Sequence, residues 1–211
     1  MHALESITKG KQGTRSAGGR FIVLDGPDGS GTTLHTKLLR ERFERAGNGV
    51  LGTAEPTDGP IGALIRDNLK AGSLSGTALQ LLFCADRADH CARIIEPALR
   101  TDTIVISDRY VPSTIAYGQA LGLDPSWLTA LNKNFIEPDL TLFLLPPIET
   151  ALERLRRRSA HDALEDASLQ RRVHQAYAAI AKADSSIAVI DTSGEKEAVA
   201  EQIWKRVQTI F

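Results

Sequence analysis

Apolar residues in this chain follow two rhythms. Short apolar runs at 20–25, 50–53, 103–107, 140–145 and 187–190 predict five strands, the runs at 20–25 and 103–107 buried. Between them, apolar positions recur at helical spacing over 32–45, 61–71, 76–100, 112–120, 125–135, 149–158, 164–183 and 195–209. In the first helix, Leu34, Leu38, Leu39 and Phe43 form the stripe expected to face the core. The long stretch 76–100 carries a broad apolar face of Leu79, Leu82, Phe83, Ala85, Ala88, Ile94 and Ile95. Asp86, Arg87, Asp89, His90 and Arg93 interrupt it, and Pro97 is expected to bend or close it. Strands alternating with helices predict an α/β fold: a five-stranded parallel sheet with helices on both faces. Without repeats or an internal linker, 20–211 reads as a single domain.

The turn after the first strand changes the picture from fold to chemistry. It reads Gly26-Pro27-Asp28-Gly29-Ser30-Gly31-Thr32-Thr33 and runs directly into a helix. Strand, glycine-rich loop and helix is the layout of a phosphate-binding P-loop, in which backbone N–H groups and the helix N-terminus converge on a nucleotide's phosphates. Gly26, Gly31 and Thr33 fit the pattern G-x-x-x-x-G-K-[ST], but Thr32 stands at the lysine position. A short, uncharged side chain cannot reach terminal phosphates as lysine does, so this is a phosphate cradle lacking its usual cation.

In such sheets ligands bind beyond the carboxyl ends of the strands. The P-loop, 55–60, Asp108-Arg109-Tyr110 and the loop after Arg158 all occupy that edge. Asp108 is placed to hold Mg²⁺ beside Thr33, directly or through water; the plainer alternative is a structural helix cap. Arg109 suits a phosphate, with a surface ion pair as its alternative. Phe83 and Arg87 lie one helical turn apart, where one could stack on a base and the other hydrogen-bond its edge. A phenylalanine among leucines is more often core. Arg154, Arg156, Arg157 and Arg158 are either a solvated basic face or, for at least one of them, lid cations for a transferring phosphoryl group.

Composition narrows the classes further. The 211 residues carry a net charge of −1, which gives no global signature for nucleic acid or a membrane surface. Cys84 and Cys91 form no metal-binding pair and read as small buried residues. Residues 1–19 read as a flexible leader rather than a secretory signal, no run is long enough to span a membrane, and a cytoplasmic location is expected.

Taken together, the motifs resemble thymidylate kinase, a P-loop NTPase of the nucleoside monophosphate kinase type. The pieces are the P-loop, Glu55-Pro-Thr-Asp-Gly-Pro-Ile-Gly62, Leu81-Leu-Phe-Cys-Ala-Asp-Arg87, and Asp108-Arg-Tyr-x-x-Ser113-x-x-Ala-Tyr117. Pro138-Asp-Leu-Thr-Leu-Phe-Leu144 and Ala151-Leu-Glu-Arg-Leu155, leading to a lid around 156–165, complete the set. The resemblance implies transfer of the ATP γ-phosphate to dTMP with Mg²⁺, in a homodimer. It implies that Phe83 stacks on thymine, Arg87 reads its edge and Arg109 holds the dTMP phosphate. Asp28 would contact the deoxyribose or position the acceptor, Tyr117 would pack near the sugar C2′, and Ser113 and Thr114 would line the base pocket. Three departures each remove a positive charge near phosphates: Thr32, Ala54 before Glu55-Pro56, and Ala163 after Asp162. Lys37 and Arg156–Arg158 are the candidates to compensate. A nucleotide-binding protein without catalysis, and a kinase for another monophosphate such as dUMP, stay open at this level.

Overall fold

The structure, a computed structural model, describes residues 19–157 and 167–211. Five strands, β1 (Phe21–Asp25), β2 (Val50–Ala54), β3 (Ile104–Asp108), β4 (Leu140–Leu144) and β5 (Ala188–Ile190), form one sheet in the order β2-β3-β1-β4-β5. Every neighbouring pair is parallel. β1 lies between β3 and β4, so the chain leaves β1 toward one edge and later returns to its other side. That reversal opens a crevice at the carboxyl end of β1, where the P-loop begins.

Side-chain alternation assigns the two faces. Ile22 and Leu24 of β1 pack with Leu39 and Phe43 of α1 (Thr32–Arg45) and with Val199, Ile203 and Val207 of α9 (Lys196–Val207). Phe21 and Val23 point to the other face, onto Cys91, Ile95, Leu99 and Tyr110. Beside them, α5 (Val111–Ala120) and α8 (Ala167–Ala183) pack over Phe143 of β4. The remaining helices are α2 (Pro60–Ala71), α3 (Gly76–His90), α4 (Glu96–Arg100), α6 (Pro125–Asn132) and α7 (Ile148–Arg156). α3 does not stop before α4. A π-helical turn, Cys91–Ile95, joins them, and Pro97 enters in the first turn of α4, where its missing N–H is tolerated.

Two helix faces differ from the expected ones. In α1 the inward positions are Thr32, His35, Thr36, Leu39 and Phe43, while Leu34 is 44% exposed and Leu38 only partly buried. Thr32 and Thr36 take inward positions on this helix, and Leu34 is turned out. In α3 the buried set is Leu79, Gln80, Asp86, Arg87 and His90, whereas Ala85 and Ala88, and Ile94 in the π-helical turn, are exposed. Polar groups thus take the interior of α3, and they organise the site. No helix among the described residues is long and apolar enough to cross a membrane.

Candidate active site

The P-loop leaves β1 and closes onto α1. Gly29 and Gly31 sit at φ 80° and 91°, which L side chains rarely adopt, and a Cβ on Gly29 would lie 2.5 Å from the Ala151 carbonyl oxygen. Gly31 is the N-cap of α1 and no side chain caps it, so the first-turn N–H groups point into the loop. Thr192 Oγ1 donates to the Ser30 carbonyl at 2.7 Å, and Arg154 donates to the carbonyls of Gly29 (3.2 Å) and Thr192 (2.6 Å). Arg154 therefore braces the back of the P-loop. Lys37, on the exposed face of α1, pairs with Glu41 at 3.9 Å, which counts against it as the compensating cation.

The Thr33 hydroxyl donates to Asp108 Oδ2 at 2.5 Å, while Asp108 Oδ1 is buried without a partner. A hard divalent ion suits this donor set: one hydroxyl and one carboxylate with a spare oxygen, beside a phosphate cradle. No group of three or more His, Cys, Asp or Glu side chains gathers among the described residues.

Asp25, at the end of β1, ties the two sides of the crevice together. Its carboxylate accepts from the backbone N–H of Gly26 (2.9 Å), Tyr110 (2.9 Å) and Ser113 (3.2 Å), and from the hydroxyls of Ser113 (2.6 Å) and Tyr177 (2.6 Å). Burial pushes this carboxyl above its ordinary value, against the pull of Arg109 and these donors. Arg109 adopts φ 70° in the turn from β3 to α5. Its guanidinium donates to the Gly26 carbonyl (2.7 Å) and to Asp28, and stands 5.7 Å from the centre of the Tyr117 ring. Asp28 also accepts from Gln170 at 2.8 Å.

Beyond Arg109 opens a cavity of about 280 Å³, lined by Phe83, Arg87, Ser113, Thr114 and Tyr117 together with Asp28 and Arg109. All of the proposed acceptor residues therefore meet in one place. Glu55, Pro56, Arg66, Leu69, Gln80 and Tyr110 complete its wall. The Glu55–Pro56 peptide bond is cis. The loop it opens is held by Asp86, which accepts from the Thr57 N–H (2.7 Å) and hydroxyl (2.6 Å).

Arg87 corrects the simplest expectation. It is fully buried and already donates four hydrogen bonds: Nε (2.9 Å) and Nη2 (2.6 Å) to Glu55, Nη2 to Thr114 (2.9 Å), and Nη1 to Asn132 (2.5 Å). A guanidinium has five N–H donors, so one remains for a ligand. Burial alone would lower its pKa, but the charge and hydrogen bonds of Glu55 hold it above the ordinary arginine value. Glu55 also meets His90 Nδ1 at 3.0 Å, and His90 Nε2 reaches the Thr53 hydroxyl at 2.7 Å. Burial lifts the Cys91 thiol to about 11, and lifts the phenols of Tyr110 and Tyr117 as well. His35 is lowered by burial and by Arg154. Glu55, Asp86, His90, Asn132 and Gln80 were missed as individual site residues. The signal available for most of them was polarity at positions where α3 was expected to be apolar.

The lid arginines divide. Arg156 ends α7 as an exposed residue, and exposed Arg157 pairs with Glu153. Arg158, Ala163 and most of the 156–165 segment lie outside the described residues.

Comparison with known proteins agrees with this arrangement. The family model for thymidylate kinase matches residues 24–203. A probable thymidylate kinase of Thermococcus kodakarensis is 38% identical over 201 residues, covering 90% of this chain and 98% of the relative. A thymidylate kinase of Thermomicrobium roseum is 40% identical over 200 residues, covering 90% and 95%, and one from a Synechococcus species is 38% identical over 196 residues, covering 89% and 94%. With its P-loop, acceptor cavity and sheet order in place, this chain belongs to the thymidylate kinase family.

Proposed function

We propose that this chain transfers the γ-phosphate of ATP to dTMP, giving dTDP and ADP, as a step toward dTTP. The carrying observation is that the P-loop and the cavity holding Phe83 and Arg87 open at the same sheet edge, joined by Arg109. An oxygen of the dTMP phosphate attacks the γ-phosphorus, and the bond from that phosphorus to the ADP oxygen breaks.

Gly26 to Thr33 cradles the ATP phosphates with backbone N–H groups. Thr33 and Asp108 would hold Mg²⁺, directly or through water. When bound, the ion neutralises charge on the ATP phosphates. Arg109 exchanges its contact with Asp28 for the dTMP phosphate, which frees Asp28 to position the acceptor. Phe83 stacks on thymine, and the one spare N–H of Arg87 donates to its edge. Tyr117 packs near the sugar C2′, and Ser113 and Thr114 line the base pocket through their bonds to Asp25 and Arg87. With threonine at position 32, the cation over the transferring phosphoryl comes from the lid, from among Arg156, Arg157 and Arg158.

The domain spans 20–211 with a lid around 156–165, and it works in the cytoplasm without nucleic acid or membrane. A homodimer is supported by Leu64 of α2 and Leu81 of α3, each 48% exposed on neighbouring helices. A coupled assay with dTMP, ATP and Mg²⁺ tests the proposal. Turnover above background is expected; dTMP binding without turnover or ATP affinity would favour a nucleotide-binding protein without catalysis.

A further inference from the structure

The acceptor cavity contains a polar group that neither the P-loop nor the Phe83–Arg87 pair accounts for. Gln80 lies on α3 one turn before Phe83 and two turns before Arg87, and all three line the cavity. Its side chain is fully buried, yet neither its amide oxygen nor its amide nitrogen has a hydrogen-bond partner. Buried amides are ordinarily paired, because leaving water without a replacement partner is costly.

Its neighbours do not relieve it. Arg87 is committed to Glu55, Thr114 and Asn132. Arg66 donates to the carbonyls of Pro56 (3.1 Å) and Thr57 (2.6 Å). Arg109 is taken by Gly26 and Asp28, Ser113 by Asp25, and Leu69 is apolar. The other unpartnered atom in the wall is the Tyr117 phenol oxygen, which the proposed pose sets beside the sugar. With a single N–H of Arg87 left over, reading a second polar atom on a base needs another group.

We propose that Gln80 is a binding residue for the acceptor base, its amide pairing with the base's polar edge when the nucleotide fills the cavity. A primary amide offers an acceptor and a donor side by side. Its complement is an N–H next to a carbonyl, the imide that thymine and uracil both carry. The remaining Arg87 N–H then donates to a second carbonyl, and Phe83 supplies the stacking surface. The free protein holds an unpaired amide in readiness, and the ligand satisfies it.

This inference rests on the thymidylate reading of the cavity and makes a prediction of opposite signs. Gln80→Leu and Gln80→Met keep the bulk and remove the amide. In the full-length protein, both variants should weaken binding of dTMP and dUMP, titrated by calorimetry, at least fivefold. The KM for ATP should stay within twofold and kcat within threefold, and the melting temperature should stay level or rise. A purely structural glutamine would instead lower the melting temperature and both affinities together. A change of less than fivefold in nucleotide affinity for both variants, or a loss that tracks falling melting temperature and ATP affinity in both, overturns the role of Gln80 alone. Wild-type protein that binds neither dTMP nor dUMP overturns the thymidylate reading, and this inference with it.

Discussion

The two halves of the crevice are built on opposite terms. On the acceptor side the charges are buried and paired: Arg87 with Glu55, Glu55 with His90, and Asp86 with the loop at Thr57. The acceptor side leaves only neutral groups over, the Gln80 amide and the Tyr117 phenol, whereas on the donor side the groups that wait for partners face charge: the amides of the α1 N-terminus, the second oxygen of Asp108, and a threonine where a lysine is customary. A rigid, satisfied network suits a site that must hold one nucleotide in one pose. An open set of donors suits a site whose charge arrives with its ligand. Breaking a buried charge pair should therefore act on stability, and removing a donor-side group on rate.

The largest effect should come from breaking the acceptor network. Glu55→Ala leaves a buried guanidinium without its counter-charge and should cost about 3–5 kcal/mol of folding stability, read from denaturant unfolding. A loss below about 1 kcal/mol would mean that this pair behaves like a surface ion pair, and the contrast would collapse. Next is Asp108→Ala on the donor side. It should lower kcat by about a hundredfold or more while dTMP affinity stays within about twofold. A drop in affinity as large as the drop in rate would place Asp108 in the acceptor site instead.

Gly29→Ala should fall between the halves. A positive φ and the close Ala151 carbonyl both oppose a methyl group. About 1–3 kcal/mol of destabilisation is expected, along with a raised KM for ATP and little change for dTMP, measured by thermal melts and steady-state kinetics. Unchanged stability and KM would show that the loop tolerates a side chain there. The smallest effect belongs to Lys37→Ala. Both it and its partner Glu41 are exposed to solvent, 66% and 39%, so kcat/KM should move by no more than about twofold. A large loss would return Lys37 to the list of compensating cations.

The fold was readable in the sequence because the central strands β1 and β3 are buried, largely apolar runs, and the P-loop and Asp108-Arg109-Tyr110 announce themselves by type and spacing. What was not readable is instructive. Ala85, Ala88 and Ile94 look like core by period, yet they are exposed, and Asp86, Arg87 and His90 are inside. Periodicity assumes an oil-like interior, and α3 faces a polar one. Leu34 was misjudged for the same reason, since Thr32, His35 and Thr36 take the inward face of α1. Asn132 carries no local signal at all. It lies 45 residues from Arg87, and only the packing of α6 brings its carbonyl to that guanidinium. Arg154 read as one of a basic cluster, and its bond to the Gly29 carbonyl is visible only once α7 is set against the P-loop.

The central claim is that the donor half works with threonine at position 32 because arginines from the lid supply the missing charge. The most direct measurement is kcat for Thr32→Lys against wild type, at saturating dTMP and ATP with Mg²⁺. A site rebuilt around threonine predicts no gain, with kcat unchanged within about threefold or reduced. A rise of about tenfold or more would contradict the account and show a P-loop still lacking the cation it needs.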